Sequence, residues 1–521
     1  MADPARAIRR IIAYKSDHLP EDGTPRSPCI IGSRMTRRSL IALVAQTPQL
    51  AQTDRGPGRL LGITVMPEYI QNEKIDGVLF SLTRRARATA VTTSPYVMQP
   101  AADAKTGSRE PPIDGGAGKV RLLDRTLWGK RELMVETAPS FEHDLTQFRG
   151  LRYQPSAPTG LTLSQGGLLR EFVLAAKGSG LKVYFQVQAA IPPGYRVQFG
   201  GPLEDDRPRL PSGLLPSRRL ANNGSLASVE IRKYTAALIG DIFRAYPELD
   251  GIRLDWPEYP PYYLDDCFLD FSAHAQAAAA QLGFDFARMR SDVARLYGDL
   301  HGNLTNDGVR SWLARDGGLS DLTSFLMDRP GVLEFLRFKA ALVESFLRDM
   351  RAAIPKGKEF IAHAFPPPFS LASGLDFARA SAIADGLAVK LYTMHWPMML
   401  SFYAEQLVKA NPKVEETLIV QAVARWMDIA DDNRFRTLSD CRYPEPDEPH
   451  GAGIEAQTRK IAFARQRSSK VFAVAHGYGP LADYRQRLEV AWKASGGRVW
   501  INRYGYLSDA KLDATGEVTS K

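Results

Sequence analysis

Short runs of β-branched and aromatic residues alternate with amphipathic stretches from residue 60 onward, which is typical of parallel strand-helix units. Apolar residues recur at three and four positions in the helical stretches, for example 226–246, 331–353, 396–409 and 481–494. Eight runs predict strands, at residues 61–66, 87–92, 181–188, 251–255, 359–364, 386–392, 470–475 and 498–503. The α/β pattern therefore predicts a closed (β/α)₈ barrel.

The chain is longer than such a barrel needs, since 521 residues exceed the roughly 250 that a (β/α)₈ barrel typically takes. The surplus predicts long loop insertions after strands 2, 4 and 6, at residues 93–180, 256–357 and 393–469. All three leave the carboxyl ends of their strands, where barrel enzymes build their sites. A doubly wound open sheet is the alternative, but residues 66–69 supply no glycine-rich first turn. The segment 412–429 is predicted to be a helix, because Pro412 and two glutamates are typical of a helix start.

Composition excludes several classes of protein. With 44% hydrophobic and 24% charged residues the chain is globular, and no apolar run approaches the roughly 18 to 20 residues that span a bilayer. The net charge of +9 is concentrated near the start, where residues 1–51 hold eight basic and four acidic residues. No basic block interleaved with aromatics follows, so nucleic acid is not an expected partner. The three cysteines match no zinc or redox spacing.

The N-terminal segment is predicted to be separate from the fold. Residues 35–45 (MTRRSLIALVA) resemble a twin-arginine export signal, in which paired arginines precede a short, mildly apolar run. That resemblance implies a periplasmic or secreted protein, whereas a basic tail without export function would leave it cytoplasmic. We expect an extension over 1–56, with Met1 or Met35 as its start, a barrel over 57–510 and a tail over 511–521.

The fourth predicted strand, within residues 250–260 (DGIRLDWPEYP), carries the main catalytic candidates. Alternation along a strand puts Arg253 and Asp255 on the inward face, and the apolar residues between them outward. A guanidinium beside the carboxylate would keep Asp255 ionised, as a nucleophile or base requires. Glu258 follows in the loop over the same mouth and is predicted to be the general acid. The alternative is that Arg253 and Asp255 form a buried ion pair that only fills the barrel.

This segment resembles the glycoside hydrolase barrels. Asp-Gly-x-Arg-x-Asp, ending at Asp255, resembles the fourth-strand signature of the α-amylase superfamily, whose aspartate is the nucleophile. Asp255 followed by Glu258 is similar to the Asp-x-x-Glu of α-glucosidase-type enzymes. The ending Trp-Pro-Glu-Tyr-Pro resembles the chitinase-type strand, with Arg253 in place of its middle aspartate and a proline inserted.

The chain departs from those families at strands 5 and 7. An α-amylase-type site implies a glutamate at strand 5, where residues 362–365 read Ala-His-Ala-Phe, and a His-Asp pair at strand 7, where His476-Gly477 stands. The acid partner is therefore open. Besides Glu258, the candidates are Glu68 after strand 1 and three acids of a proline-rich loop, Glu445, Asp447 and Glu448.

Further polar and aromatic residues are predicted to surround the mouth and bind substrate. Three of the eight histidines fall at the ends of strands 5, 6 and 7, where they suit hydroxyl recognition or proton transfer. Aromatic rings suit stacking on a pyranose, and the alternative for each ring is loop packing. Beside Arg253, the predicted binding residues are Glu68, Gln186, Gln188, Trp256, Tyr259, His363, Lys390, Tyr392, His395, Trp396, His476, Tyr478, Asn502 and Arg503.

Three functions fit these residues. The leading hypothesis is a glycoside hydrolase that acts on an oligosaccharide or glycoconjugate with two carboxylates and with no metal or other cofactor. The second is a metal-dependent hydrolase barrel with His363, His395 and His476 as ligands, although the His-x-His pair expected at strand 1 is absent. The third is a carbohydrate-binding barrel without catalysis.

Overall fold

Eight parallel strands close the barrel that the sequence predicts. The computed structural model describes residues 58–520 apart from 104, 106, 113–120, 197–198, 315–318, 432–433 and 451–452, so the resemblance to an export signal lies outside the described residues. The barrel order is β1-β11-β10-β9-β8-β7-β6-β2. In chain order, the strands are β1 (Leu60–Thr64), β2 (Ala90–Thr93), β3 (Tyr96–Pro100), β4 (Ser108–Glu110), β5 (Leu133–Pro139), β6 (Lys182–Gln188), β7 (Gly251–Asp255), β8 (Glu359–Ala364), β9 (Gly386–Lys390), β10 (Val471–His476) and β11 (Arg498–Asn502).

Helices surround the barrel and fill its insertions. Residues 412–429 contain a helix rather than a ninth barrel strand, as predicted. No described helix combines the length and the apolar character needed to cross a membrane. The helices are α1 (Pro67–Phe80), α2 (Gly160–Gln165), α3 (Gly167–Gly178), α4 (Val229–Ala245), α5 (Ala273–Leu282), α6 (Phe286–Leu300), α7 (Asn306–Ala314), α8 (Leu319–Asp328), α9 (Pro330–Ala353), α10 (Phe369–Ser373), α11 (Phe377–Ser381), α12 (His395–Ala410), α13 (Glu416–Trp426), α14 (Ile454–Arg467), α15 (Leu481–Ser495) and α16 (Asp509–Thr519).

Alternation along the strands separates the two sides of the barrel wall. In β7, Ile252 and Leu254 join the large apolar core between wall and helices, while the residues between them face inward. A second, smaller core fills the barrel interior and includes Tyr184, Phe472 and Trp500. Because this interior layer is packed, only the ends of the strands are open to a ligand.

The insertions leave the carboxyl ends of the strands, as the sequence predicts. The segment after β2 folds into a small antiparallel sheet in the order β3-β5-β4, followed by α2 and α3. The segment after β7 holds α5 to α9, and the segment after β9 holds α12 to α14. These insertions therefore build the walls around the barrel mouth.

The chain ends in a helix that packs on the barrel. Most of the residues expected to be a tail belong to α16, in which Leu512 and Thr515 are buried. The Thr515 hydroxyl lies 2.6 Å from the Tyr484 hydroxyl of α15, and the Lys511 ammonium donates to Gly477 O at 2.9 Å. The end of the chain is thus part of the packed structure.

Candidate active site

Asp255 ends β7 and lies at the centre of the mouth. Lys390 Nζ, at the end of β9, lies 2.5 Å from Asp255 Oδ1. His363 Nδ1, near the end of β8, lies 3.0 Å from the same oxygen, and the Trp256 backbone N–H donates to it at 3.0 Å. Gln186 Nε2 of β6 donates to the other oxygen, Oδ2, at 3.3 Å. Three strands besides β7 therefore hold one carboxylate in a fixed orientation.

These contacts keep Asp255 ionised. Burial alone opposes ionisation, but Lys390 and His363 outweigh it, and the pKa of Asp255 lies well below its usual range. Burial lowers the pKa of His363 to about 4, so above that pH His363 is neutral and acts on Asp255 through a donated hydrogen bond. The Asp255 side chain is 13% exposed, so this charged group is accessible from the mouth.

Arg253 is not the partner of Asp255, which corrects the expectation from the sequence. Its Nη1 donates to Thr64 Oγ1 at 3.2 Å, and its guanidinium lies 3.9 Å from the centre of the Trp500 ring. Both residues face inward, but two residues along a strand are about 6.6 Å apart, so Arg253 lies one layer below Asp255. Arg253 is fully buried there and lies below the part of the mouth that a substrate could reach.

Glu258 is fully buried beside the loop that follows β8. The Phe365 backbone N–H donates to its Oε1 at 2.8 Å, and the Ser373 hydroxyl contacts its Oε2. Burial raises the pKa of Glu258 to about 7. Ser373 Oγ also lies 3.1 Å from Ser370 O. A hydroxyl has one proton to donate. When Ser373 donates it to Ser370 O, the hydrogen bond between Ser373 and Glu258 needs a protonated Glu258 as its donor.

Tyr392 and Asn502 are the half-buried polar residues on the far side of the mouth. The Tyr392 ring packs edge-on against His476 at 5.1 Å and against His395 at 5.5 Å. Arg121, from the insertion after β2, places Nη1 3.2 Å from His476 Nε2. Tyr392 is therefore the aromatic ring among the predicted binding residues that is partly open to a ligand.

The other predicted aromatic residues are buried. The Tyr259 hydroxyl lies 3.2 Å from Asp270 Oδ2, and the Tyr478 hydroxyl donates to Pro444 O at 3.0 Å. Lys390 Nζ lies 5.2 Å from the centre of the Trp256 ring, and Lys460 Nζ lies 5.2 Å from the centre of the Trp396 ring. These rings lie in the segments that follow β7, β9 and β10, and burial gives them no free face for stacking. Gln188, at the end of β6, is buried beside Asp255 in the strand register.

A second buried group of charges lies between the ends of β1 and β11. Arg196 Nη1 is 2.6 Å from Glu110 Oε2 and 3.4 Å from Glu68 Oε1, and Arg503 pairs with Glu110. Burial and the charge of Glu110 raise the pKa of Glu68, whereas the two arginines overcome burial and lower the pKa of Glu110. The sequence pointed to Glu68 and Arg503. It gave no signal for Glu110, which lies in the insertion after β2, or for Arg196, which lies in the loop after β6. Both are placed only by long-range folding.

The three histidines do not form a metal site. His363 contacts Asp255, His476 contacts Arg121, and His395 packs against Tyr262 and Tyr392. In the described part of the chain, no group of three or more His, Cys, Asp or Glu side chains is placed to hold a metal ion. The arrangement needed for the metal-dependent alternative is therefore not found among these residues.

No protein family model and no curated protein matches the chain. Among solved structures, it is similar to the glycoside hydrolase domain of PgaB (BpsB) from Bordetella bronchiseptica, with 14% identity and a TM-score of 0.39 over 88% of this chain and 98% of that chain. It is similar to the β-amylase catalytic domain from Paenibacillus polymyxa, with 12% identity and a TM-score of 0.42 over 87% of this chain and 94% of that one. It is also similar to a chitinase from Chromobacterium violaceum, with 10% identity and a TM-score of 0.36 over 89% of this chain and 100% of that chain. Since these TM-scores lie below 0.5, the case for a function rests on the geometry of the mouth.

Proposed function

We propose that the protein is a glycoside hydrolase that cleaves an oligosaccharide or glycoconjugate, with Asp255 as its nucleophile or base. The observation that carries the proposal is one ionised, accessible carboxylate at the carboxyl end of a barrel strand, held by Lys390, His363 and Gln186. Such a carboxylate suits the attack on, or the stabilisation of, the positive charge that develops at a sugar's anomeric carbon.

The two oxygens of Asp255 have different surroundings. Oδ1 receives Lys390, His363 and the Trp256 N–H, whereas the hydrogen bond to Oδ2 comes from Gln186 at the longer distance of 3.3 Å. A carboxylate oxygen with fewer donors keeps more lone-pair density for reaction. We therefore assign the reacting atom to Oδ2, with Oδ1 as the anchored oxygen.

Glu258 is the proposed general acid. Its pKa of about 7 leaves a proton on a large share of the molecules near neutral pH, which is the property that a general acid needs. Its carboxyl contacts Phe365 and Ser373, so delivery of the proton to a leaving group requires the side chain to turn toward the mouth. Tyr392 and Asn502 supply polar groups and one ring face for the sugar.

The orientation of Glu258 favours one alternative function, a barrel that binds carbohydrate without hydrolysing it. Asp255 would then accept hydrogen bonds from sugar hydroxyls, and Glu258 would only hold the loop after β8. The two functions share the same ligand class and differ in whether a bond is broken.

Replacement of Asp255 by asparagine separates them. We expect Asp255→Asn to reduce hydrolysis on a panel of glycosides by at least about 1,000-fold, because the amide is neither charged nor nucleophilic, while sugar binding persists. Asp307→Asn is the control, since that side chain is 99% exposed on α7. Hydrolysis by D255N at the wild-type rate would contradict the role of Asp255. Binding without hydrolysis by the wild type would establish the alternative.

A further inference from the structure

A cavity of about 310 Å³ lies beside the mouth, between the small sheet and the loop after β6. Its wall combines the rings of Tyr195 and Phe199 with hydroxyl groups of Ser108, Thr137 and Ser156. Its volume is at the lower end of the range for small-molecule sites. The proposed catalytic steps use none of these residues.

The cavity adjoins the second group of buried charges. Phe199 lies 6.0 Å from the ring of Tyr96, edge-on, and 5.8 Å from the guanidinium carbon of Arg196. Tyr96 in turn donates to Glu68 at 3.1 Å, at the edge of the mouth. Phe199 therefore lies in the cavity wall and also packs against this buried group.

A buried hydrogen-bond chain fixes the other ring. The Tyr195 hydroxyl lies 2.5 Å from His143 Nε2, and His143 Nδ1 lies 2.6 Å from Asp241 Oδ2. Arg244 donates to the other Asp241 oxygen at 2.6 Å. Tyr195 is itself buried, so this chain makes one part of the cavity wall rigid, and a rigid wall lowers the entropic cost of binding. The half-buried ring of the wall is that of Phe199.

The polar groups of the wall select the charge of a ligand. Glu136 is the charged side chain among the residues that line the cavity, and one of its oxygens is bonded to Gln99 at 2.9 Å. The Thr137 hydroxyl is buried and has no partner among the described residues, whereas Ser108 and Ser156 are half-buried at the cavity wall. Hydroxyl and carboxylate groups beside the half-buried Phe199 ring suit a sugar ring with one apolar face. An acidic sugar would meet the negative charge of Glu136.

We infer that this cavity is a binding subsite, separate from the catalytic mouth, for a neutral or amine-bearing sugar unit of an extended carbohydrate. The choice of a sugar as ligand rests on the proposed function. A chain long enough to occupy both the mouth and the cavity makes contacts at two places, so such oligosaccharides should bind more tightly than short ones.

Filling the cavity tests the inference. Ser156→Trp places a large side chain at the half-buried rim, and Ser156→Ala is the matched control that removes only the hydroxyl. The affinities of dimers and hexamers of neutral, amino and uronic hexoses would be measured by calorimetry in the Asp255→Asn background, which prevents turnover. We expect S156W to bind the neutral or amino hexamers at least 10-fold more weakly than S156A, with dimer affinity unchanged.

Three results would overturn the subsite: equal hexamer affinity in S156W and S156A, tighter binding of the uronic hexamer than of the others, or no hexamer binding at all. These results are distinct from failure of the proposed function, which would appear as an absence of hydrolysis by the wild type. Cleavage of a dimer by the S156W variant with Asp255 intact verifies that the mouth is undamaged.

Discussion

Two carboxyl groups three residues apart, Asp255 and Glu258, have opposite pKa shifts. Both are removed from water, which favours the neutral form of each. Asp255 lies against the ammonium of Lys390 and stays charged, whereas the closest contacts of Glu258 are a backbone N–H and a hydroxyl. Both residues are acidic and lie close together in the sequence, so the sequence does not distinguish their pKa values. The difference comes from the neighbours that folding brings to each carboxyl group.

The raised pKa of Glu258 predicts how stability depends on pH. Between its usual value of 4.5 and its folded value of about 7, the folded protein binds more protons at this site than the unfolded chain does. The free energy of unfolding should therefore fall as pH rises through this range, by about 3 kcal/mol from this group. Glutamine keeps both contacts, since its oxygen accepts from Phe365 and its amide donates to Ser373.

We expect Glu258→Gln to lose this dependence and to be more stable than the wild type at pH 8. Denaturant titrations at pH 5 and pH 8 would measure it, with Glu171→Gln on the exposed face of α3 as control. If wild type and E258Q show the same change between the two pH values, Glu258 does not carry the raised pKa.

At the scale of the element, the strands were the most predictable part of the chain. Each of the eight barrel strands overlaps its predicted position, because β-branched residues and strand alternation are local properties. Helix α16 is different, since its low share of apolar residues gives little periodic signal. It is stabilised by packing against α15, where the Tyr484 hydroxyl forms a hydrogen bond with the Thr515 hydroxyl of α16.

That packing gives a test at Leu512. This side chain is completely buried in α16, and Leu512→Ala is expected to reduce the free energy of unfolding by about 2 to 5 kcal/mol, through lost burial and the cavity left behind. Leu481→Ala, at the start of α15 where the side chain is 43% exposed, should change it by less than about 1 kcal/mol. Similar losses in the two variants, measured by denaturant unfolding, would show that α16 is not packed as described.

At the scale of the whole molecule, closure of the barrel depends on the seam between β1 and β11. Gly62 pairs with Trp500 across this seam, and a Cβ at Gly62 would lie 2.1 Å from a ring atom of Trp500. No side chain fits there without displacing the indole, which itself supports Arg253. A glycine in a strand is therefore required by a close approach between two elements far apart in sequence.

Gly62→Ala is accordingly expected to destabilise the whole barrel by about 3 kcal/mol or more, as overpacked cores do. Gly178→Ala, at the end of α3 with open space around it, is the matched control and should be neutral or slightly stabilising. Thermal unfolding of the two variants gives the comparison. A G62A protein as stable as the wild type would mean that the seam is looser than the structure shows.

The candidate site was predictable only in part. Strand alternation identified Asp255 as inward-facing, and the ends of the strands identified His363 and Lys390 as neighbours of the mouth, because parallel strands bring their carboxyl ends to one rim. The partner of Asp255 was assigned wrongly to Arg253, since alternation gives the face of a residue but not its layer. The group formed by Glu110 and Arg196 gave no local signal.

The sequence by itself determined the number of barrel strands, the faces of their residues and the position of the insertions, because these follow from local periodicity. The small sheet of β3, β4 and β5 was not predicted. Only the tertiary structure decided which polar side chains meet: Lys390 with Asp255, Arg196 with Glu110, and Ser373 with Glu258. The physical reason is that the barrel register and the insertions bring together residues about 90 to 140 positions apart in sequence, and the pKa of a buried group depends on these neighbours.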